Sequence, residues 1–320
     1  MLLKEKQFVF IIGSPRSGTT WLQEMLGSHP LVCTLGELQL FDFYIFPWIN
    51  SWKEHVNLKQ YSNVSAGLPI IWTEKDFHDF LIEFLERVYG RLLVNKPGAA
   101  IILDKTPAYS LHIEHIEYLI PNAKYIHIIR DGRDVAVSLN AASQGWAKHW
   151  APKDVASAAS MWKKFVLTAR DARNFNGRYF EIKYEYLLEN GLEVLGSIFD
   201  FIGLPMGSEE LESIYHNCQF EKMKKKQLNV NKFYRAQNFF RKGRPGDWQN
   251  VFTLKQKYIF HRIAGDLLLD LGYAEDNWWI DHNYQRITIP LSLYLTRKYN
   301  KIKKTIYNVL ASLKKSMSQK

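Results

Sequence analysis

Cysteine is nearly missing from this chain: its 320 residues hold two, Cys33 and Cys218. Two thiols exclude a disulfide framework, and no Cys/His cluster has the spacing of a zinc site, so no metal is expected. Long apolar runs are missing too. No stretch reaches the roughly 18 continuous apolar residues of a membrane span, and a first strand expected from Gln7 leaves no room for a signal peptide. A reducing cytoplasm is the expected setting. No internal repeat is visible. Acidic residues are missing from one region: beyond Asp281 there are nine Lys or Arg and no Asp or Glu, so this tail carries nearly all of the formal charge of +10. Residues 1–281 are close to neutral, and nucleic acid is not an expected partner, because only the tail offers a basic surface for phosphate contacts.

What the chain does hold begins at Phe8. Residues 8–21 read F-V-F-I-I-G-S-P-R-S-G-T-T-W, an apolar strand, a glycine-bounded loop and the start of a helix. Gly13 and Gly18 enclose four residues, the spacing at which backbone N–H groups curl round a phosphate at a helix N-terminus. The ATP-binding version of this loop needs Lys-Ser/Thr straight after the second glycine. Here Thr19 and Thr20 follow, and the cation is Arg16, inside the loop. An anion is expected, but not a triphosphate with magnesium.

Two further stretches suit the same ligand. Residues 124–139 read K-Y-I-H-I-I-R-D-G-R-D-V-A-V-S-L, a buried strand ending at Arg130 with a helix beginning near Asp131 and Ser138 two turns along it. Ligands of open α/β sheets collect at the carboxyl ends of strands. Residues 241–248 read R-K-G-R-P-G-D-W, three cations and two glycines in one loop. Three separated basic or glycine-rich elements imply a ligand with more than one phosphate.

Together these residues resemble the sulfotransferases that use 3′-phosphoadenosine 5′-phosphosulfate (PAPS) as sulfuryl donor and release PAP, over most of residues 7–272. The resemblance implies a P-loop-like phosphosulfate-binding loop in which Arg16, Ser17, Gly18, Thr19 and Thr20 hold the 5′-phosphate. It puts Arg130, Ser138, Arg241, Lys242 and Gly243 at the 3′-phosphate, and Trp21, Tyr184 and Phe220 at the adenine. Cys218 stands where the soluble members often carry Thr. The soluble members that act on phenols and steroids have a catalytic His after a Lys-Thr pair, whereas this chain reads D-K-T-P-A-Y over 104–109, and Pro107 is no base. The branches acting on protein tyrosines and on glycans place a catalytic Glu about twenty residues beyond the loop. Glu37 stands there, and it is the expected base, with Arg16 and Lys105 stabilising the departing phosphate.

A sulfuryl group passes in line from a phosphate oxygen to a hydroxyl, so catalysis should be positioning plus neutralisation of leaving-group charge. Arg16, backbone amides and Lys105 can supply that without a metal. The expected function is transfer from PAPS to a hydroxyl on a carbohydrate, glycolipid or related metabolite. The alternative is a small phenol or other aromatic alcohol, and a P-loop kinase is a distant third. His29, His112, His115 and His127 have no partner at a catalytic spacing and are read as structural.

Alternation of strand and helix patterns predicts an α/β fold, three layers with a central, mostly parallel sheet. Strands are expected at 7–12, 100–104, 124–129 and 178–183. Helices are expected at 18–27, 74–90, 111–119, 131–142, 154–173, 191–202, 208–216 and 253–271. Two segments break the alternation. Residues 38–72, rich in Phe, Tyr and Trp, are expected to form an acceptor pocket or a small helical subdomain, and 221–247 to form a lid. The sulfotransferase-like domain is expected over 1–281, and a basic amphipathic helical extension over 282–320. In that extension Leu295, Tyr299, Ile302, Ile306, Val309 and Leu313 recur every three or four residues, with Lys301, Lys304 and Lys315 on other faces. The pattern suits peripheral contact with an anionic inner membrane surface, and equally a helix packed on its own domain or on a partner, a homodimer included.

Overall fold

Strand β1 (Gln7–Ile12) sets the layers. Successive side chains of a strand point to opposite faces. Phe8, Phe10 and Ile12 enter one apolar cluster and Val9 and Ile11 another, and all five are buried. A strand apolar on both faces is the mark of a parallel sheet covered by helices on each side. The computed structural model bears this out and describes residues 2–62, 64–219, 221–223, 243–276, 279–280 and 291.

Five parallel strands, β1, β2 (Val32–Cys33), β3 (Ile101–Lys105), β4 (Lys124–Ile129) and β5 (Tyr179–Lys183), lie in the order β2-β3-β1-β4-β5. The pairings Ile11 with Lys105 and Ile12 with His127 bring the carboxyl ends of β3, β1 and β4 to one edge. Around them come α1 (Leu2–Glu5), α2 (Thr19–Gly27), α3 (Phe46–Ser62), α4 (Glu74–Leu93), α5 (Ile113–Leu119), α6 (Gly132–Ser143), α7 (Val155–Ala169), α8 (Tyr184–Glu189), α9 (Gly191–Ile202) and α10 (Ser208–Asn217). α11 (Leu254–Asp270) belongs to a second unit, since the chain divides into two compact units, Met1–Trp248 and Gln249–Lys320.

Local signals explain the sharper boundaries. Thr73 caps α4 through a reciprocal bond with Asp76, and Asp131 caps α6 by accepting from the Arg133 amide. Two readings of the sequence change. Strand β2 was not expected, because two residues are too short to show a period. The helix expected over 154–173 stops at Ala169 and continues as a 3-10 turn over Arg170–Asn174.

The aromatic segment 38–72 divides in two. Phe41–Ile45 forms one π-helical turn that runs into α3. Trp48 and Trp52 of α3 then pack on Phe80, Phe84 and Phe77 of α4, Trp52 lying flat on Phe77 at 4.6 Å. Most of the tail read as an amphipathic extension, 282–320, lies outside the described residues, as do 224–242 of the segment expected to form a lid.

One buried charge makes stability depend on pH. Burial pushes the Asp104 carboxyl up to about 7, against Tyr89 and Tyr109, whose hydroxyls donate to it at 2.9 and 3.1 Å, and against the charge of Lys105. Between about pH 4 and the raised value the native state holds a proton that the unfolded chain has released, so stability falls as pH rises through that window. Asp104→Asn removes this dependence. Urea midpoints of variant and parent should move apart in the variant's favour as pH is raised from about 5 to about 8; parallel midpoints would show that Asp104 does not titrate there.

Candidate active site

The loop between β1 and α2 is held by close approach. Gly13 has φ 147°, and a Cβ there would sit 2.4 Å from the Ile128 carbonyl oxygen of the neighbouring strand. Gly18 has φ 99°, and a Cβ there would meet the Tyr184 ring at 2.5 Å. Arg16 also lies in the left-handed region, at φ 73°. The loop therefore turns against β4 and α8, with the N-terminus of α2 at its end. An anion at that terminus meets free amides and the positive end of the helix dipole.

Arg16 lies in the loop and Arg130 beside it. The Arg16 Nε donates to Ser138 Oγ at 3.0 Å, and its guanidinium lies 5.6 Å from the Trp146 ring centroid. Arg130 is 6% exposed and stacks over Tyr184 at 4.7 Å. It donates to the carbonyls of Arg16 at 3.4 Å and Arg244 at 3.1 Å. Its Nε is buried and has no hydrogen-bond partner among the described residues. The Tyr184 hydroxyl donates to the Gly243 carbonyl at 2.8 Å. Buried Asp134 takes the amides of Gly246 and Trp248 at 2.7 and 3.0 Å, which ties residues 243–248 to α6 beside Arg130.

On the other side of the loop, β3 ends at Lys105, which is 2% exposed. Its Nζ donates to Glu37 Oε1 at 2.6 Å and to Thr20 Oγ1 at 3.2 Å. A buried ammonium thus spans the first turn of α2 and the carboxylate that the sequence singled out. Pro107 occupies the start of a short 3-10 turn, Pro107–Leu111, and carries no base.

Most of the side chains just described meet at one cavity of about 860 Å³. Arg16, Gly18, Thr19, Thr20, Trp21, Glu37, Lys105, Arg130, Ser138, Tyr184 and Gly243 line it. Ser17 does not: it is buried, and its amide is spent on the Ser14 carbonyl. Phe220, Arg241 and Lys242 lie outside the described residues. Cys218 is buried and does not line the cavity, but its carbonyl accepts from the Trp21 indole at 2.7 Å and so fixes that ring.

Leu38 and Phe43, from the aromatic segment expected to form an acceptor pocket, also line the cavity. Sequence reasoning missed the apolar residues that join them, Trp146, Trp150, Met161 and Phe165. The spacing of Trp146 and Trp150, whose rings sit 5.7 Å apart, was a visible signal. Asp42 of the π-helical turn also lines the cavity. Burial pushes its carboxyl up to about 6, a backbone hydrogen bond opposing and the charge of Glu37 adding. A carboxylate among tryptophans and leucines carries no one-dimensional signature.

A sequence model of the sulfotransferase family matches residues 8–208. The chain belongs to the sulfotransferase family. An uncharacterised protein of Aquifex aeolicus is 29% identical over 65% of this chain, and there the chain spans 27% of the relative's length. A putative protein-tyrosine sulfotransferase of Caenorhabditis briggsae is 27% identical over 66% of this chain and 70% of its own. Among solved structures, mouse sulfotransferase SULT7A1 complexed with PAP superposes with a TM-score of 0.52 at 19% identity, covering 83% of this chain and 88% of that one. That likeness concerns the fold: a central parallel sheet with helices on both faces. No helix among the described residues is long and apolar enough to cross a membrane.

Proposed function

We propose that this family member transfers the sulfuryl group of PAPS to an acceptor hydroxyl, with Glu37 as general base. The observation that carries this reading is the pairing of Glu37 with buried Lys105 at 2.6 Å, beside the glycine-bounded loop and in the same cavity as Arg130. The residues fit the donor. Three cations, Arg16, Lys105 and Arg130, surround the cavity, and Arg130 keeps a buried Nε without a partner among the described residues, which suits a bound anion.

Arg16, Ser17, Gly18, Thr19, Thr20 and the first amides of α2 hold the 5′-phosphate in this reading, while Arg130 and Ser138 hold the 3′-phosphate, joined by Arg241, Lys242 and Gly243. Trp21, Tyr184 and Phe220 face the adenine. PAPS supplies an activated sulfuryl group. Glu37 takes the proton of the acceptor hydroxyl as the new oxygen–sulfur bond forms, and the bond between sulfur and the phosphate oxygen breaks with its electron pair left on PAP. Lys105 and Arg16 meet that charge where it develops.

A Glu in place of a His supports an acceptor hydroxyl on a carbohydrate, glycolipid or related metabolite. The wall of Phe43, Trp146, Trp150 and Phe165 suits an acceptor with an apolar body, so an amphipathic sugar fits better than a free one, and this wall is also what favours the second reading, an aromatic alcohol.

Calorimetric titration tests the donor. PAP should bind without magnesium and far more tightly than adenosine 5′-monophosphate; equal affinities, or tighter magnesium-dependent ATP binding, would sink the reading. Labelled PAPS with octyl glucoside, glucose, 4-nitrophenol and water alone separates the acceptors. Transfer to 4-nitrophenol but to neither sugar would replace the first acceptor class by the second.

A further inference from the structure

Glu37 sits in a short irregular segment, and its position against Lys105 has to come from somewhere. The segment has no regular secondary structure before the π-helical turn, and Gln39 is one of two non-glycine residues at positive φ among those described, at 53°. Such a conformation persists where the surroundings over-determine it. Two side chains from the 104–109 segment do so. Thr106 Oγ1 accepts from the Gln39 amide at 3.2 Å, and the Tyr109 hydroxyl accepts from the Leu40 amide at 3.0 Å.

The Tyr109 hydroxyl can accept there because its own proton is committed elsewhere. It donates to Asp104 Oδ2 at 3.1 Å, and Tyr89 of α4 donates to the same oxygen at 2.9 Å. Asp104, Thr106 and Tyr109 are all buried, and the Tyr109 ring is wedged edge-on between Phe10 of β1 and Phe41. The tyrosine is therefore a rigid post: one end anchored in the sheet's aromatic layer, the other holding the main-chain amide of Leu40, three residues beyond Glu37. The same six residues supply Lys105, so the carboxylate and its ammonium partner are mounted on one clamp.

We propose that Thr106 and Tyr109 are positioning residues for the transfer: their side-chain oxygens take the amide protons of Gln39 and Leu40 and thereby hold Glu37 against Lys105 and the acceptor hydroxyl. Asp104 orients the Tyr109 proton so that the oxygen's lone pairs face Leu40. This assignment rests on the reading of Glu37 as base. It also gives a reason for Pro107 between the two clamp residues. Its fixed φ suits the first position of the 3-10 turn that brings Tyr109 back toward Leu40.

A mutant cycle tests the clamp, read as release of PAP from PAPS with whichever panel acceptor, water included, turns over fastest. Tyr109→Phe keeps the ring and removes the acceptor for Leu40; Thr106→Val removes the acceptor for Gln39, and Thr106→Ser keeps it. A misplaced catalytic group costs up to about 100-fold, so Tyr109→Phe and Thr106→Val should each lower kcat roughly 10- to 100-fold, with PAP affinity within about twofold and Thr106→Ser near the parent. In a Glu37→Gln background the same changes should cost less than about twofold more, because they act through Glu37.

Equal losses in both backgrounds would overturn the proposal in favour of a general packing role, and parental kcat in Tyr109→Phe and Thr106→Val would overturn it outright. If Glu37→Gln alone kept the parental rate, the base assignment itself would fall, an outcome distinct from the other two. Should Tyr109→Phe not fold, the comparison of Thr106→Val with Thr106→Ser carries the decision.

Discussion

Glu37→Gln should lower kcat by roughly 10²- to 10⁴-fold, the range over which a positioned general base contributes. The amide keeps the shape and a hydrogen bond but takes no proton. Donor affinity should barely move, because the proposed mechanism assigns Glu37 to the acceptor hydroxyl and Thr20 with the amides of α2 to the phosphate. One consequence concerns Lys105. Its ammonium is 2% exposed and loses its carboxylate partner in the variant, so a drop in thermal midpoint accompanies the loss of rate. Measuring kcat with PAP affinity and thermal midpoint on the same preparation separates the two effects. A rate within about twofold of the parent would remove Glu37 from the mechanism, and a water or another side chain would have to take the proton.

The second large effect belongs to Arg130. Arg130→Ala should weaken PAP binding roughly 10- to 100-fold, the scale of lost hydrogen bonds to a charged group, while adenosine 5′-monophosphate binding changes far less. The contrast between the two nucleotides is the useful readout. Arg130 also braces the loop through the Arg16 and Arg244 carbonyls and stacks on Tyr184, so a general collapse of the site would weaken both nucleotides alike. Arg130→Lys tests geometry: a lysine keeps the charge but not the planar fork that reaches several acceptors. Equal losses for PAP and the monophosphate would assign Arg130 to loop architecture alone.

Much of the site was readable residue by residue. The four-residue spacing of Gly13 and Gly18 and the place of Arg130 at the end of an apolar strand are local, because each depends on a turn or a strand end, whereas Glu37 was singled out by resemblance alone. Asp131 capping α6 and Thr73 capping α4 likewise follow from short-range hydrogen bonding. Strand β2, the π-helical turn and the packing of Trp52 on Phe77 were not readable, since their stability comes from partners tens of residues away. Nor was the inward turn of Ser17 readable: it stands within the phosphate-loop pattern, and its amide bonds the Ser14 carbonyl.

Asp104 and Tyr109 mark the boundary most clearly. In the chain they flank Lys105 as unremarkable members of D-K-T-P-A-Y, and nothing in their spacing says that one oxygen of Asp104 takes two tyrosine protons or that Tyr109 meets Leu40. Local pattern was enough for the fold class and for the place of the glycine-bounded loop, because strand periodicity and the turn at a helix start are short-range effects. The meeting of Glu37 with Lys105, the apolar acceptor wall and the clamp on Gln39 and Leu40 needed the sheet. Strand order β3-β1-β4 brings three carboxyl ends to one edge, with both faces of β1 buried between two apolar clusters, a long-range packing condition no short stretch of residues contains.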